Sequence, residues 1–174
     1  MRKFFLPLVA ALAALTFAPV EAAGEKVAVL PAAVINGAAG NGPVVTEALR
    51  SSLRGKGFKI IDAAVVDRAI ASTGMDLSRP QTLSSLSAFR KKVGADYVVY
   101  PRVLSVGQGV NTMEYQANIL VNVMGPWAKG FAHTRQVGQV FKAEASRADR
   151  AVIGRSDAEN AVSKLMQGFY AKVK

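Results

Sequence analysis

Apolar residues recur along this chain in two periods, and the switches between them mark its elements. Lys26-Val27-Ala28-Val29-Leu30-Pro31 is an unalternating apolar run, as expected of a buried strand. Residues 36–42 are rich in Gly, Ala and Asn and predict a loop, and Pro43 suits the first turn of a helix. That helix is expected to reach about Lys56. Val45, Leu49 and Leu53 lie four apart on one face, Glu47, Arg50 and Arg54 fall away from it, and Gly55 and Gly57 stop it. Phe58-Lys59-Ile60-Ile61 predicts a second, short strand. Asp62 then suits a helix N-cap, with Ile61 and Val66 at the spacing of a hydrophobic staple. Val66 and Ile70 point inward and Gly74 ends this helix.

After a turn through Ser78-Arg79-Pro80, Leu83, Leu86, Phe89 and Val93 form the stripe of a third helix that stops at Gly94. Residues 96–106, 113–124 and 130–143 read as three long strands separated by Gly-rich turns. Ser156 and Glu159 have the spacing of a capping box. They predict a last helix with Ala158, Val162, Leu165, Phe169 and Val173 on one face.

The resulting order is β-α-β-α-α-β-β-β-α, an α/β (α+β) chain with a single mixed five-stranded sheet. Strands separated by helices should run parallel, the last three should form an antiparallel meander, and the helices should pack on the sheet. No internal repeat or linker divides residues 23–174, which predict one domain.

The N-terminus carries a different pattern. Met1-Arg2-Lys3 is basic, residues 4–20 are almost wholly apolar, and Val20-Glu21-Ala22 places small residues at the −3 and −1 positions of a cleavage site. Residues 1–22 therefore read as a secretory signal peptide cut after Ala22, and the mature protein as periplasmic or extracellular. Retention as an N-terminal anchor is the competing reading. The apolar run is short of the roughly 20 residues a membrane helix needs, and Pro7 and Pro19 interrupt it.

Cleavage takes the net charge from +10 to +9, since 20 basic and 11 acidic residues remain. A basic exported protein suits an acidic partner, an anionic cell-wall polymer or an anionic membrane surface, without integral insertion. Nucleic acid is not an expected partner, because no aromatic residues interleave with the basic ones. The absence of cysteine excludes disulfides, thiolate metal sites and thiol catalysis, and leaves no residue for lipid attachment.

Four words in order, Lys26-Val27-Ala28-Val29-Leu30-Pro31, Gly57-Phe58-Lys59-Ile60-Ile61-Asp62, Val66-Asp67-Arg68-Ala69-Ile70 and Gly94-Ala95-Asp96-Tyr97-Val98-Val99-Tyr100, carry a resemblance. Over residues 26–106 the chain resembles the envelope domain of CsgG-like curli-secretion proteins and the N-terminal domain of TolB. It is similar also to the LpoB-type penicillin-binding-protein activators. The resemblance implies a non-catalytic, protein-binding envelope module. Pro101 departs from it, standing where a glycine is usual, and implies that its strand bends or lies at an edge there. Curli-channel and activator proteins are typically lipoproteins, which this chain has no cysteine to become. Residues 113–124 and 130–143 are the length of ordinary sheet strands rather than of barrel-building hairpins.

Candidate chemistry is thin. Gly37-Ala38-Ala39-Gly40-Asn41-Gly42-Pro43 sits where phosphate loops occur, but neither the Walker nor the dinucleotide spacing is met, so it reads as a connection with left-handed glycines. His133 is the only histidine and has no acidic residue nearby in sequence. Carboxylates such as Asp62, Asp67, Asp96 and Asp157 are scattered singly, and no cluster has metal spacing. No catalytic, cofactor or metal residue is therefore expected. The candidate partner contacts are Trp127, the only tryptophan, in the turn at 124–130, and Arg147, Arg150 and Arg155 before the last helix.

The reading from sequence is an exported, non-catalytic protein-binding module of the cell envelope, an accessory factor in secretion or envelope assembly. Two alternatives stand beside it. One is a membrane-associated, pore-like oligomer using the partly alternating segment 113–124. The other is an exported hydrolase whose carboxylates are assembled only by folding.

Overall fold

Strand β1 (Lys26–Val29) is buried from its second residue, and its side chains enter two different cores. Val27 and Val29 face one side of the sheet, Ala28 and Leu30 the other, which is why the run does not alternate. The computed structural model describes residues 24–36, 39–106, 114–126, 133–142, 153–171 and 173.

After β1 come β2 (Ala33–Asn36), α1 (Asn41–Arg54), β3 (Lys59–Ile60), α2 (Ala63–Thr73) and α3 (Leu83–Val93). The meander β4 (Tyr97–Val106), β5 (Glu114–Met124) and β6 (His133–Lys142) follows, and α4 (Arg155–Tyr170) ends the fold. The five expected strands and four helices are thus present in the expected order, with β2 in addition. The sheet runs β3-β1-β4-β5-β6, and β2 pairs with β4 beyond the end of β1. β1, β2, β3 and β4 are mutually parallel where they pair, and β4, β5 and β6 are antiparallel.

On one face α1 and α4 cover Val27, Val29, Tyr97, Val99, Val103, Ile119, Val121 and Val123. Phe58, Tyr97 and Phe169 form its aromatic centre, with ring centroids 5.3–6.1 Å apart. On the other face α2 and α3 cover Ala28, Leu30, Val98, Tyr100 and Met124.

The helix ends follow the chemistry of their flanks. Asp62 caps α2 by accepting the Ala64 amide at 2.8 Å, as expected. Thr82 does the same for α3 at the Ser85 amide. Gly74 and Gly94 end these helices in the left-handed region, with φ of 63° at each. The capping box expected at α4 does not form. The helix starts two residues earlier, with Gly154 in the cap position, and Glu159 accepts instead from Arg155 Nε at 2.9 Å. This start leaves Asp157 in the first turn, where its charge meets the positive end of the helix dipole.

Pro101 pairs in register with Val121 inside a ten-residue strand, and on its other side the sheet has a gap, so the proline stands at a local edge. The reason is the handover between β1 and β2. The Leu30 amide donates to Val99 O at 2.9 Å, so odd-numbered backbone groups of β4 point toward β1 and β2. At Pro101 β1 has ended, and β2 takes up pairing only at Arg102. The missing N–H therefore falls where no ladder bond is required.

Candidate functional site

Two concavities on the described surface could receive a partner. The larger is an open groove of about 590 Å³ between the β1–β2 link, the first turns of α1 and the start of α2. Its floor explains the glycine-rich segment. Gly42 lies against the β1–β2 link so closely that a Cβ there would stand 2.7 Å from the Ala32 carbonyl oxygen. Thr46 Oγ1 donates to Gly42 O at 2.7 Å and accepts the Ala32 amide at 2.9 Å, tying helix to link. Asn41 is fully buried, and its Oδ1 accepts the Ile153 amide at 2.7 Å. Gly40 and Gly42 are not left-handed, which corrects the expectation at these two positions, and Gly37 lies outside the described residues. The start of α1 is therefore used for internal packing.

Glu47 and Asp67 line this groove together with Arg50. Sequence spacing gave no sign of that meeting, because the two carboxylates sit on different helices. Glu47 Oε1 is engaged by Arg54 at 3.0 Å, and its Oε2 lies 3.9 Å from Arg50, with the side chain 54% exposed. That is the setting of a surface ion pair rather than of the desolvated acid that hydrolysis uses. Among the described residues, no group of three or more His, Asp or Glu could hold a metal.

The second concavity is a notch of about 300 Å³ between α3 and the end of β5, lined by Leu83, Ser84, Ser87, Arg90 and Met124–Pro126. It lies where the described part of the chain after β5 ends, at Pro126. Arg90 Nη1 makes one long bond to Ala95 O at 3.4 Å, while its Nε is buried without a hydrogen-bond partner. Leu83, expected on the buried stripe of α3, is instead 38% exposed at the notch. The helix is anchored by Leu86 and Phe89, and its first residue lies beyond their core.

Of the contact residues read from sequence, Trp127, Arg147 and Arg150 lie outside the described residues, as does the cleavage site at Ala22. Arg155 is the first residue of α4, with its side chain 81% exposed, and the Glu159 carboxylate beside it raises its pKa. The notch was missed, although Ser84, Ser87 and Arg90 stand three apart and so share a helix face. Nothing in sequence shows that the end of β5 faces them. His133 opens β6 opposite Val123 in register.

The apolar side of β5, which a membrane-strand reading would turn to lipid, is instead packed in the α1/α4 core at Ile119, Val121 and Val123. Among the described residues no helix is long and apolar enough to cross a membrane.

No protein-family model matches the sequence, and no curated protein matches it. Solved structures share the fold at low identity. Lipoprotein GNA1162 from Neisseria meningitidis superposes with a TM-score of 0.55 at 12% identity, over 84% of this chain and 99% of that one. LpoB from Escherichia coli gives 0.52 at 22% identity, over 69% of this chain and 58% of that one. The hypothetical protein CT253 from Chlamydia trachomatis gives 0.50 at 15% identity, over 87% of this chain and 96% of that one. At these identities the likeness is one of fold, and what it supports is an LpoB-like fold; a likeness to the curli-channel protein or to TolB stays an expectation from sequence.

Proposed function

We propose that this chain is an exported, non-catalytic protein-binding module of the cell envelope, serving as an accessory factor in secretion or envelope assembly. The observation that carries the reading is the notch beside the 124–126 turn. There an exposed leucine, two serines and an incompletely bonded arginine form a small mixed surface of the kind partners occupy. The LpoB-like fold and the signal-like N-terminus support it.

The test is a photo-crosslinker at Leu83 or Ser84 in the exported protein, followed by mapping of what it joins in an envelope extract. The expected result is one discrete partner, captured at Leu83 and not at an exposed control position on α2 such as Ala71. Equal capture at both positions, or none, would refute the reading. Trp127, Arg147, Arg150 and Arg155 are proposed as further contacts of the same partner.

One observation favours a second reading, the exported hydrolase, because Glu47 and Asp67 line one groove. Hydrolytic activity lost in both Glu47→Gln and Asp67→Asn would establish it. Activity unaffected by either change would end it.

A further inference from the structure

We infer that the α3/β5 notch receives a carboxylate, an Asp or Glu side chain presented by a partner polypeptide. The inference rests on the protein-binding reading and gives that partner its chemistry.

Three observations converge. First, Ser84, Ser87 and Arg90 line one side of the notch from a single helix face, and Met124, Gly125 and Pro126 line the other. Two hydroxyls and a guanidinium form a donor set for an anion, and an arginine fork matches a carboxylate in shape as well as charge.

Second, Arg90 is under-bonded, with one 3.4 Å bond to Ala95 O and a buried Nε that has no acceptor. A buried unpaired donor is unfavourable, and so weak a tether lets the guanidinium turn toward an acid entering the notch.

Third, the surrounding charge is unanswered among the described residues. The ion pairs among the described residues join Glu47 to Arg50 and Arg54, Asp76 to Arg79, and Glu159 to Arg155. None of them engages Arg90, Lys91 or Lys92, which end α3 as a basic run. Leu83, exposed at the rim, adds an apolar contact, so the preferred sequence is an acidic residue beside an apolar one. A volume of about 300 Å³ suits a side chain rather than a folded element.

The test uses residues 23–174, labelled with nitrogen-15, titrated with N-acetyl-Leu-Glu-amide and with its neutral isostere N-acetyl-Leu-Gln-amide. Saturable shifts are expected at the Ser84, Ser87 and Gly125 amides and at the Arg90 Nε–H. Affinity should be roughly tenfold or more weaker for the Gln probe and for Arg90→Gln. Lys92→Gln, which leaves the notch intact, should bind within about twofold of the parent. Ser87→Leu fills the notch while keeping the arginine in the sequence and should also abolish the shifts.

Equal binding of the two probes, or shifts spread over surface lysines and unchanged in Arg90→Gln and Ser87→Leu, would overturn the inference. Crosslinking separates this failure from failure of the broader reading. A partner captured equally by the parent and by Arg90→Gln removes the carboxylate site and keeps the binding role. Probe binding at the notch without any captured partner does the reverse.

Discussion

Asn41 offers the sharpest test of how this fold is held together. It is fully buried at the start of α1, and its Oδ1 accepts the Ile153 amide at 2.7 Å, joining positions 112 apart in sequence. Replacing it by alanine leaves the Ile153 N–H inside the protein without that acceptor, and water cannot readily replace it. An orphaned buried donor costs about 1–3 kcal/mol, against about 1 kcal/mol for the average hydrogen bond when both partners are free to rehydrate. For a chain of this size each kcal/mol moves Tm by roughly 2–4 °C, so a loss of about 2 kcal/mol lowers it by roughly 4–8 °C.

Amide exchange gives a local reading of the same event. Protection of the Ile153 amide should fall by roughly 5- to 150-fold, the factor matching 1–3 kcal/mol, and by more than amides in the middle of β4. Denaturant unfolding with fitted m-values supplies the global figure. Asn41→Ala within about 0.5 kcal/mol of the parent, with Ile153 protection unchanged, would refute the account of the α1 start as an internal tie.

Gly42→Ala should destabilise by about 1–3 kcal/mol in the same unfolding experiment, because the new methyl meets the Ala32 carbonyl at 2.7 Å; an unchanged midpoint would show that the link yields freely. Phe169→Ala removes a fully buried ring stacked on Phe58 and edge-on to Tyr97, and should cost about 3–5 kcal/mol by denaturant titration. The pKa of Tyr97 is raised, first by burial and then by the Glu25 carboxylate, and burial raises those of Tyr100 and Tyr170 as well. A group whose folded pKa lies above its unfolded value stabilises fully below the unfolded value, near 10 for tyrosine, and loses that contribution as pH rises toward the folded one. Stability measured between pH 9 and 12 should therefore decline from about pH 10 upward, less steeply in Tyr97→Phe; identical slopes would contradict the assignment.

Much of the fold was legible because its signals are local. Asp62 before an amphipathic run, glycines at 74 and 94 after one, and the stripe Val45–Leu49–Leu53 each act within a turn or two of chain. The additional strand β2 escaped because Ala33–Asn36 is only four residues long and leads straight into a glycine-rich segment. The α4 cap was misread because Ser156 and Glu159 match a local template, yet Arg155 takes the glutamate. Pro101 signalled a local edge without showing which strands would leave it. Its missing donor matters only if a partner strand stands beside it, and the handover from β1 to β2 leaves that place open.

The candidate sites divide the same way. Sequence by itself determined the order of five strands and four helices, the unalternating first strand, the cysteine-free basic composition and the signal-like N-terminus, whereas helix cover on both faces of the sheet emerged only in the fold. The former follow from periodicity and residue chemistry, which need no distant neighbour. Only the tertiary structure decided that Glu47 and Asp67 line one groove, that Asn41 reaches Ile153, and that Arg90 faces the end of β5. Those meetings depend on how helices on separate stretches of chain settle on a shared sheet, where packing of many side chains sets positions that no single spacing encodes.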